Sequence, residues 1–168
     1  MNHIKTITCG LLLSSQIIHA QPALAATQAV GSIALMDKDK FECFLPVPAP
    51  GVTVTYDLTE TTTRCSEFKT REFGLIDVPS ATEILFTRRS DCIIFTPFPV
   101  EFYFKFKTIK NPTTLNYIEM EHLKSFIPPS IVGPGLQLID RFLRDGNPVV
   151  RDELRCVQIK TSAAPPTP

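Results

Sequence analysis

The side chains that could carry nucleophilic or acid–base chemistry are few in this sequence. Beyond the N-terminal segment the chain holds one imidazole, that of His122. A catalytic triad needs a nucleophile beside such a ring and an acid behind it. The sequence contains no Gly-x-Ser-x-Gly elbow, His-Glu-x-x-His zinc helix, phosphate loop or dinucleotide fingerprint. We therefore expect His122 to be a surface or half-buried residue, and we assign no catalytic residue and no cofactor.

Two close pairs of carboxylates are the other candidates for acid–base catalysis, Asp152 with Glu153 and Glu119 with Glu121. One raised and one ordinary pKa would suffice for glycoside or peptide hydrolysis. Alternate residues of a strand share a face, so Glu119 and Glu121 would lie side by side. A solvated strand edge is the simpler explanation of this pair. A small exported enzyme or toxin that uses carboxylates or His122 is the alternative function.

The cysteines indicate disulfide bonds. The chain has five, and Cys9 lies in the segment that we expect to be removed, which leaves Cys43, Cys65, Cys92 and Cys156. An even number in an exported chain argues for two disulfides. Three connectivities are open, and we favour Cys43–Cys65 with Cys92–Cys156 because half-cystines that are close in sequence usually meet first. No pair has a CxxC spacing, so we expect no metal site.

The N-terminus has the organisation of a secretory signal peptide. Lys5 supplies a basic start, an apolar stretch follows, and Ala23-Leu24-Ala25 ends the segment. The apolar stretch is shorter than the ~20 residues that span a bilayer. We expect cleavage after Ala25, or alternatively after Ala20, and hence a periplasmic or extracellular protein with no stable membrane anchor.

The composition beyond this segment predicts one domain over residues 26–160, with a flexible Ala/Pro/Thr-rich tail over residues 161–168. The whole chain has 17 basic and 17 acidic residues. Such a balanced charge creates no general field that would attract nucleic acid. We therefore expect no nucleic-acid partner.

Alternation of apolar and polar residues predicts strands over Val52–Leu58 and Val100–Lys107, the second with Phe102, Phe104 and Phe106 on its buried face. Short segments rich in β-branched or aromatic residues predict further strands: Phe73–Val78, Glu83–Phe86, Cys92–Phe95, Tyr117–Met120 and Leu154–Ile159.

The predicted fold is mainly β, a disulfide-linked antiparallel Greek-key β-sandwich or compact barrel. It has at most one short helix, predicted at Gly135–Asp145, where leucine, isoleucine and phenylalanine side chains gather on one helical face. A strand from Leu136 to Ile139 is the alternative for this segment.

Two stretches, Phe73–Phe86 and Asp152–Ile159, resemble the later half of a βγ-crystallin Greek key. In Phe73–Phe86 an alternating strand runs into a small-residue turn, a threonine and another strand, and Asp152–Ile159 is similar to the same strand. The resemblance implies a Greek-key sandwich, and it makes a structural or stress-protective protein a further functional alternative. The calcium-binding pattern of that family is not met near Asp152, so no binding residue is carried over.

Two segments are candidates for a protein-binding surface. Residues 127–134 place Ile127, Ile131 and Val132 on a proline-stiffened backbone that we expect to form no regular ladder, and stiffness lowers the entropy lost on binding. The alternative is a connection that crosses the core. The tandem Arg88-Arg89, in a polar turn, could dock an acidic partner, with a solubilising loop tip as its alternative.

These features together predict a secreted or periplasmic protein that acts through protein–protein interaction. The export signal, the cross-linked β scaffold and the stiff apolar loop all favour this function. An inhibitor of a hydrolase, or an accessory of an envelope or secreted complex, would have these properties.

Overall fold

The computed structural model describes residues 31–62, 64–95 and 100–163. The expected signal peptide, residues 1–25, and the last five residues of the tail lie outside the described residues. The described chain forms strands and two short 3-10 helices, η1 (Met120–Ser125) and η2 (Arg144–Gly146). The strands are β1 (Ser32–Met36), β2 (Glu42–Pro46), β3 (Thr53–Asp57), β4 (Glu72–Val78), β5 (Glu83–Thr87), β6 (Phe102–Thr108), β7 (Thr113–Glu119), β8 (Ser130–Gly133), β9 (Leu136–Leu143) and β10 (Cys156–Lys160).

The strands form two antiparallel sheets that pack face to face. One sheet has the order β2-β1-β4-β7 and the other the order β3-β10-β5-β6-β9-β8. Phe73 of the first sheet packs against two rings of the second, with centroid separations of 5.0 Å to Phe86 and 5.7 Å to Phe106. The predicted mainly β sandwich is therefore confirmed, and neither sheet closes into a barrel.

The strand β6 has the predicted orientation. Phe102, Phe104 and Phe106 are fully buried, whereas Tyr103 and Lys105 are partly exposed on the opposite face. Period-two alternation decides this because successive side chains of a strand point to opposite faces.

The predicted helix at Gly135–Asp145 is wrong, and the strand alternative is closer to the structure. Leu136–Leu143 forms β9, which pairs with β6 on one side and β8 on the other. The opposite error occurs at Cys92–Phe95, which is irregular and not a strand. Cys92 has a φ of 54°, a left-handed conformation that does not fit a strand. Strands β1, β2 and β8 were not predicted at all.

The favoured disulfide pairing is confirmed, with Cys43 bonded to Cys65 and Cys92 to Cys156. Two disulfides are typical of a protein that folds in a non-reducing, extracytoplasmic environment. The packed structure also continues past the predicted boundary at residue 160. Thr161 is buried, and its hydroxyl donates to the carbonyl of Ala49 at 2.6 Å.

Candidate protein-binding surface

The sandwich has two lateral sides, and each side is formed by two edge strands, one from each sheet. On the first side, β2 lies beside β3, and the structure closes this side with direct bonds. The Tyr56 hydroxyl of β3 donates to the carbonyl of Pro46 in β2 at 2.6 Å. The Cys43–Cys65 disulfide also ties β2 to the loop that follows β3. A partner strand therefore meets a cross-linked edge on this side.

On the second side, β7 of the smaller sheet lies beside β8 of the larger one, and this side is open. Within the described chain each is the last strand of its sheet and has no strand partner on its outer side. A groove of about 290 Å³ runs between them, lined by residues 114–118 and 132–134. We call these two edges and the groove between them the open seam. Its floor is apolar because Leu115, Ile118 and Val132 belong to or pack against the main core.

Gly133 sets the approach of the two edges at one end of the open seam. A Cβ atom on Gly133 would lie 2.4 Å from Cδ1 of Leu115, far inside normal contact distance. The missing side chain lets the Leu115 side chain of β7 pack against the backbone of β8. The two sheets therefore come together here without forming a hydrogen-bonded ladder between them.

Two of the three predicted apolar contact residues are exposed on β8 or just before it, and neither lines the groove. Ile127 is 72% exposed, just before β8, and Ile131 is 54% exposed within β8. Val132 is only 9% exposed and belongs to the main core, so it is not an exposed side chain of the loop but part of the floor of the groove. The expectation that this segment forms no ladder is wrong, because Ser130–Gly133 pairs with β9 and places Ile131 opposite Gln137. Alternation along β8 explains both results, since neighbouring residues point to opposite faces.

The η1 helix holds the exposed isoleucines in position because it connects β7 to β8. Met120 and Leu123 are fully buried beneath it. Glu121 Oε2 accepts the backbone N–H groups of Val150 and Arg151, each at 3.1 Å. Lys124 of η1 donates to the Asn147 side chain at 2.7 Å. The start of β8 is therefore fixed by both the core and the 147–151 segment.

The tandem arginines are engaged by carboxylates of this chain. Arg88 pairs with Glu101, and its Nε lies 3.0 Å from Glu153 Oε2. Arg89 Nε donates to Asp91 Oδ1 at 3.0 Å, and this guanidinium holds the pKa of Asp91 at about 2. An acidic partner would have to compete with these internal ion pairs. The arrangement favours the structural alternative for Arg88 and Arg89.

The acid–base candidates are also engaged in structural contacts. The ring of His122 is exposed and packs edge-to-face on Phe126, with 5.1 Å between centroids. Burial would raise the pKa of Glu121, but the Lys124 ammonium and the two backbone N–H groups outweigh it and lower that pKa. A general acid needs the opposite shift. Glu119 pairs with Arg151, so these carboxylates stabilise the connection between the sheets.

The second carboxylate pair is divided between two different partners. Asp152 accepts two hydrogen bonds from the Arg71 guanidinium, at 3.1 Å from Nε and 3.0 Å from Nη2. Glu153 faces Arg88 and, at 3.6 Å, Arg155. Each carboxylate therefore has its own cation, and the two do not share one site.

A search of the described residues finds no cluster of histidine, cysteine and acidic side chains that could hold a metal ion. In the same part of the chain, no helix has the length and apolar character needed to cross a bilayer. The β7 half of the open seam had no signal in the sequence that marked it as a site. Which strands become edges depends on long-range pairing, and no local pattern encodes it.

Comparison of the chain with protein-family models, with curated proteins and with solved structures finds no match, so the functional argument depends on the geometry of this chain alone.

Proposed function

We propose that this protein is exported by its N-terminal signal peptide and binds a protein partner through the open seam and the isoleucines beside it. The observation that carries the proposal is the contrast between the two sides of the sandwich. Within the described chain all four edge strands lack an outer partner, but the β2/β3 side is tied by a disulfide and a hydrogen bond. The β7/β8 side instead has a groove between its edges, and exposed Ile127 and Ile131 lie on β8 or just before it. An inhibitor of a hydrolase or an accessory of a secreted complex fits this description.

An open strand edge supports binding because its outward N–H and C=O groups can pair with an added strand. In strand addition the main-chain hydrogen bonds provide affinity, and pockets for alternate side chains provide specificity. The groove of about 290 Å³ offers an apolar floor for such a side chain. Ile127 and Ile131 add apolar contacts that lose water when a partner covers them.

Rigidity of the surface also supports the proposal. The β8 strand is held by its pairing with β9 and by η1, whose Met120 and Leu123 are buried in the core. A surface that is ordered before binding loses less conformational entropy when the partner arrives.

Site-specific photo-cross-linking tests the proposal in the exported fraction of the producing cells. A photoreactive phenylalanine analogue replaces Ile127 in one variant and Phe41 in the control, since these side chains are 72% and 69% exposed. We expect a discrete adduct with another protein from position 127 and none from position 41, which lies by the cross-linked side. Adducts of equal yield from both positions, or none from position 127, would overturn the proposal.

A further inference from the structure

A second groove lies on the outer face of the six-stranded sheet, three strands away from β8. The Cys92–Cys156 disulfide pins residues 92–95 against this face, and the groove of about 320 Å³ opens beside them. Beneath the segment, Leu85, Cys92 and Cys156 form a small buried apolar cluster, separate from the core between the sheets. Ile93 and Phe95 stay in contact with solvent, and Phe95 is 84% exposed.

The strand register places charge at one end of this groove and apolar surface at the other. At the charged end, Glu83 of β5 lies opposite Lys160 of β10 and Lys107 of β6. One step along the strands, Leu85 lies opposite Gln158 and Lys105. Two residues beyond Gln158 along β10, Cys156 and its disulfide to Cys92 form the apolar end of the groove. The groove is therefore amphipathic along its length.

The charged end carries more cations than its single carboxylate can neutralise. Lys105 Nζ forms an ion pair with Glu83 Oε2 at 3.0 Å, and all three lysines lower the pKa of Glu83, that of Lys105 most strongly. Lys107 and Lys160 are exposed and form no ion pair with a carboxylate of the described residues. Asp140, the register partner of Lys105 on β9, accepts the Tyr103 hydroxyl at 3.0 Å. Two ammonium groups are thus left for a ligand.

We propose that this groove binds a single-chain anionic amphiphile, an apolar chain that ends in a carboxylate. The carboxylate lies over the charged end, next to Lys160 in the groove lining and towards Lys107, which flanks Glu83 at the rim. The chain runs over Leu85 towards the disulfide, in contact with Ile93 and Phe95. The groove volume is near the lower end of the range of ~300–1,000 Å³ that small-ligand sites occupy, which favours a small ligand over a folded partner. The run from the lysine row to the disulfide covers four residues of strand, on the order of 14 Å.

Decanoate is a suitable probe, and decanol and butyrate are its matched controls, lacking the charge and the chain length respectively. We expect decanoate, kept below its micelle concentration, to bind saturably and to shift the amide resonances of Leu85 and Gln158. Charge contacts in water are individually weak, and the carboxylate makes only a few of them. Decanol should therefore bind about fivefold more weakly, and butyrate should show no saturation. Equal binding of decanol and decanoate would overturn the proposal.

Substitutions separate this site from the open seam. The variant Lys107→Gln/Lys160→Gln should weaken decanoate binding about fivefold, whereas the exposed Lys110→Gln should leave it unchanged. Phe95→Ser should weaken it, and Phe41→Ser should not. Ile127→Asp/Ile131→Asp should bind decanoate like the wild type, because this inference does not depend on the proposed function. Unchanged binding by the double lysine variant, or binding seen only with anionic lipid vesicles and not with monomeric decanoate, would refute it.

Discussion

Neighbouring residues of β8 should respond in opposite ways to the same substitution. Val132 is 9% exposed and belongs to the main core, whereas Ile131 is 54% exposed on the other face. Val132→Asp loses the burial of a valine side chain, about 1.5–3 kcal/mol. It also places a carboxyl group among apolar neighbours without a partner, which costs at least ~2 kcal/mol more. The total of at least about 3.5–5 kcal/mol is a large part of the ~5–15 kcal/mol that stabilises a typical domain.

Ile131→Asp should cost under about 1 kcal/mol, since its side chain is half in water already. Guanidinium denaturation followed by far-ultraviolet circular dichroism measures both values, and it suits a chain without tryptophan. Val132→Ala, which leaves no polar group in the core, gives a measurable value if the aspartate variant does not fold. Similar small losses for the valine and isoleucine variants would show that the face assigned to β8 is reversed.

The remaining predictions concern the core and the two outer faces. Phe104→Ala should lower the free energy of unfolding by about 3–5 kcal/mol, because it empties a fully buried site; Lys105→Ala, which removes a surface ion pair, should cost less than about 1 kcal/mol in the same denaturation assay. Burial and hydrogen bonds to acidic side chains raise the pKa of Tyr103 and of Tyr117 to about 12. Because these values exceed the ~10 of an unfolded chain, the stability that these phenols provide is complete below pH ~10 and is lost as the pH rises towards ~12. Ultraviolet titration of the folded protein should show these tyrosines ionising later than in denaturant, and simultaneous ionisation in both states would contradict it.

The sequence predicts strands well where alternation is unbroken and poorly where a bulge interrupts it. In β6, every second residue from Phe102 to Phe106 is a buried phenylalanine, so the period is plain. In β9, Lys105 pairs with Asp140 while Phe106 pairs with Leu138, which leaves Ile139 as an extra residue. The extra residue shifts the alternation halfway along the strand. The apolar residues then fall at spacings that also suit a helix.

The candidate site was only partly predictable for a related reason. Proline and isoleucine composition marked residues 127–134, and two of the three chosen side chains are exposed. Because of the prolines around it, the sequence did not predict the short strand β8. Alternation along that strand buries the side chain of Val132. The β7 half of the seam follows from pairing between distant segments, such as Phe73 with Ile118. Such pairing depends on the whole topology and leaves no local trace.

The affinity of the cross-linked partner for three forms of the protein tests the central claim most directly. The forms are the wild type, Ile127→Asp/Ile131→Asp, and Val52→Asp, whose altered side chain is 43% exposed beside β3. In the double aspartate variant, two charges lie at an apolar contact that loses its water on binding. This variant should bind at least about tenfold more weakly, with its melting temperature little changed. The Val52 variant should bind like the wild type. Equal affinity of all three forms would contradict the assignment of the open seam as the binding surface.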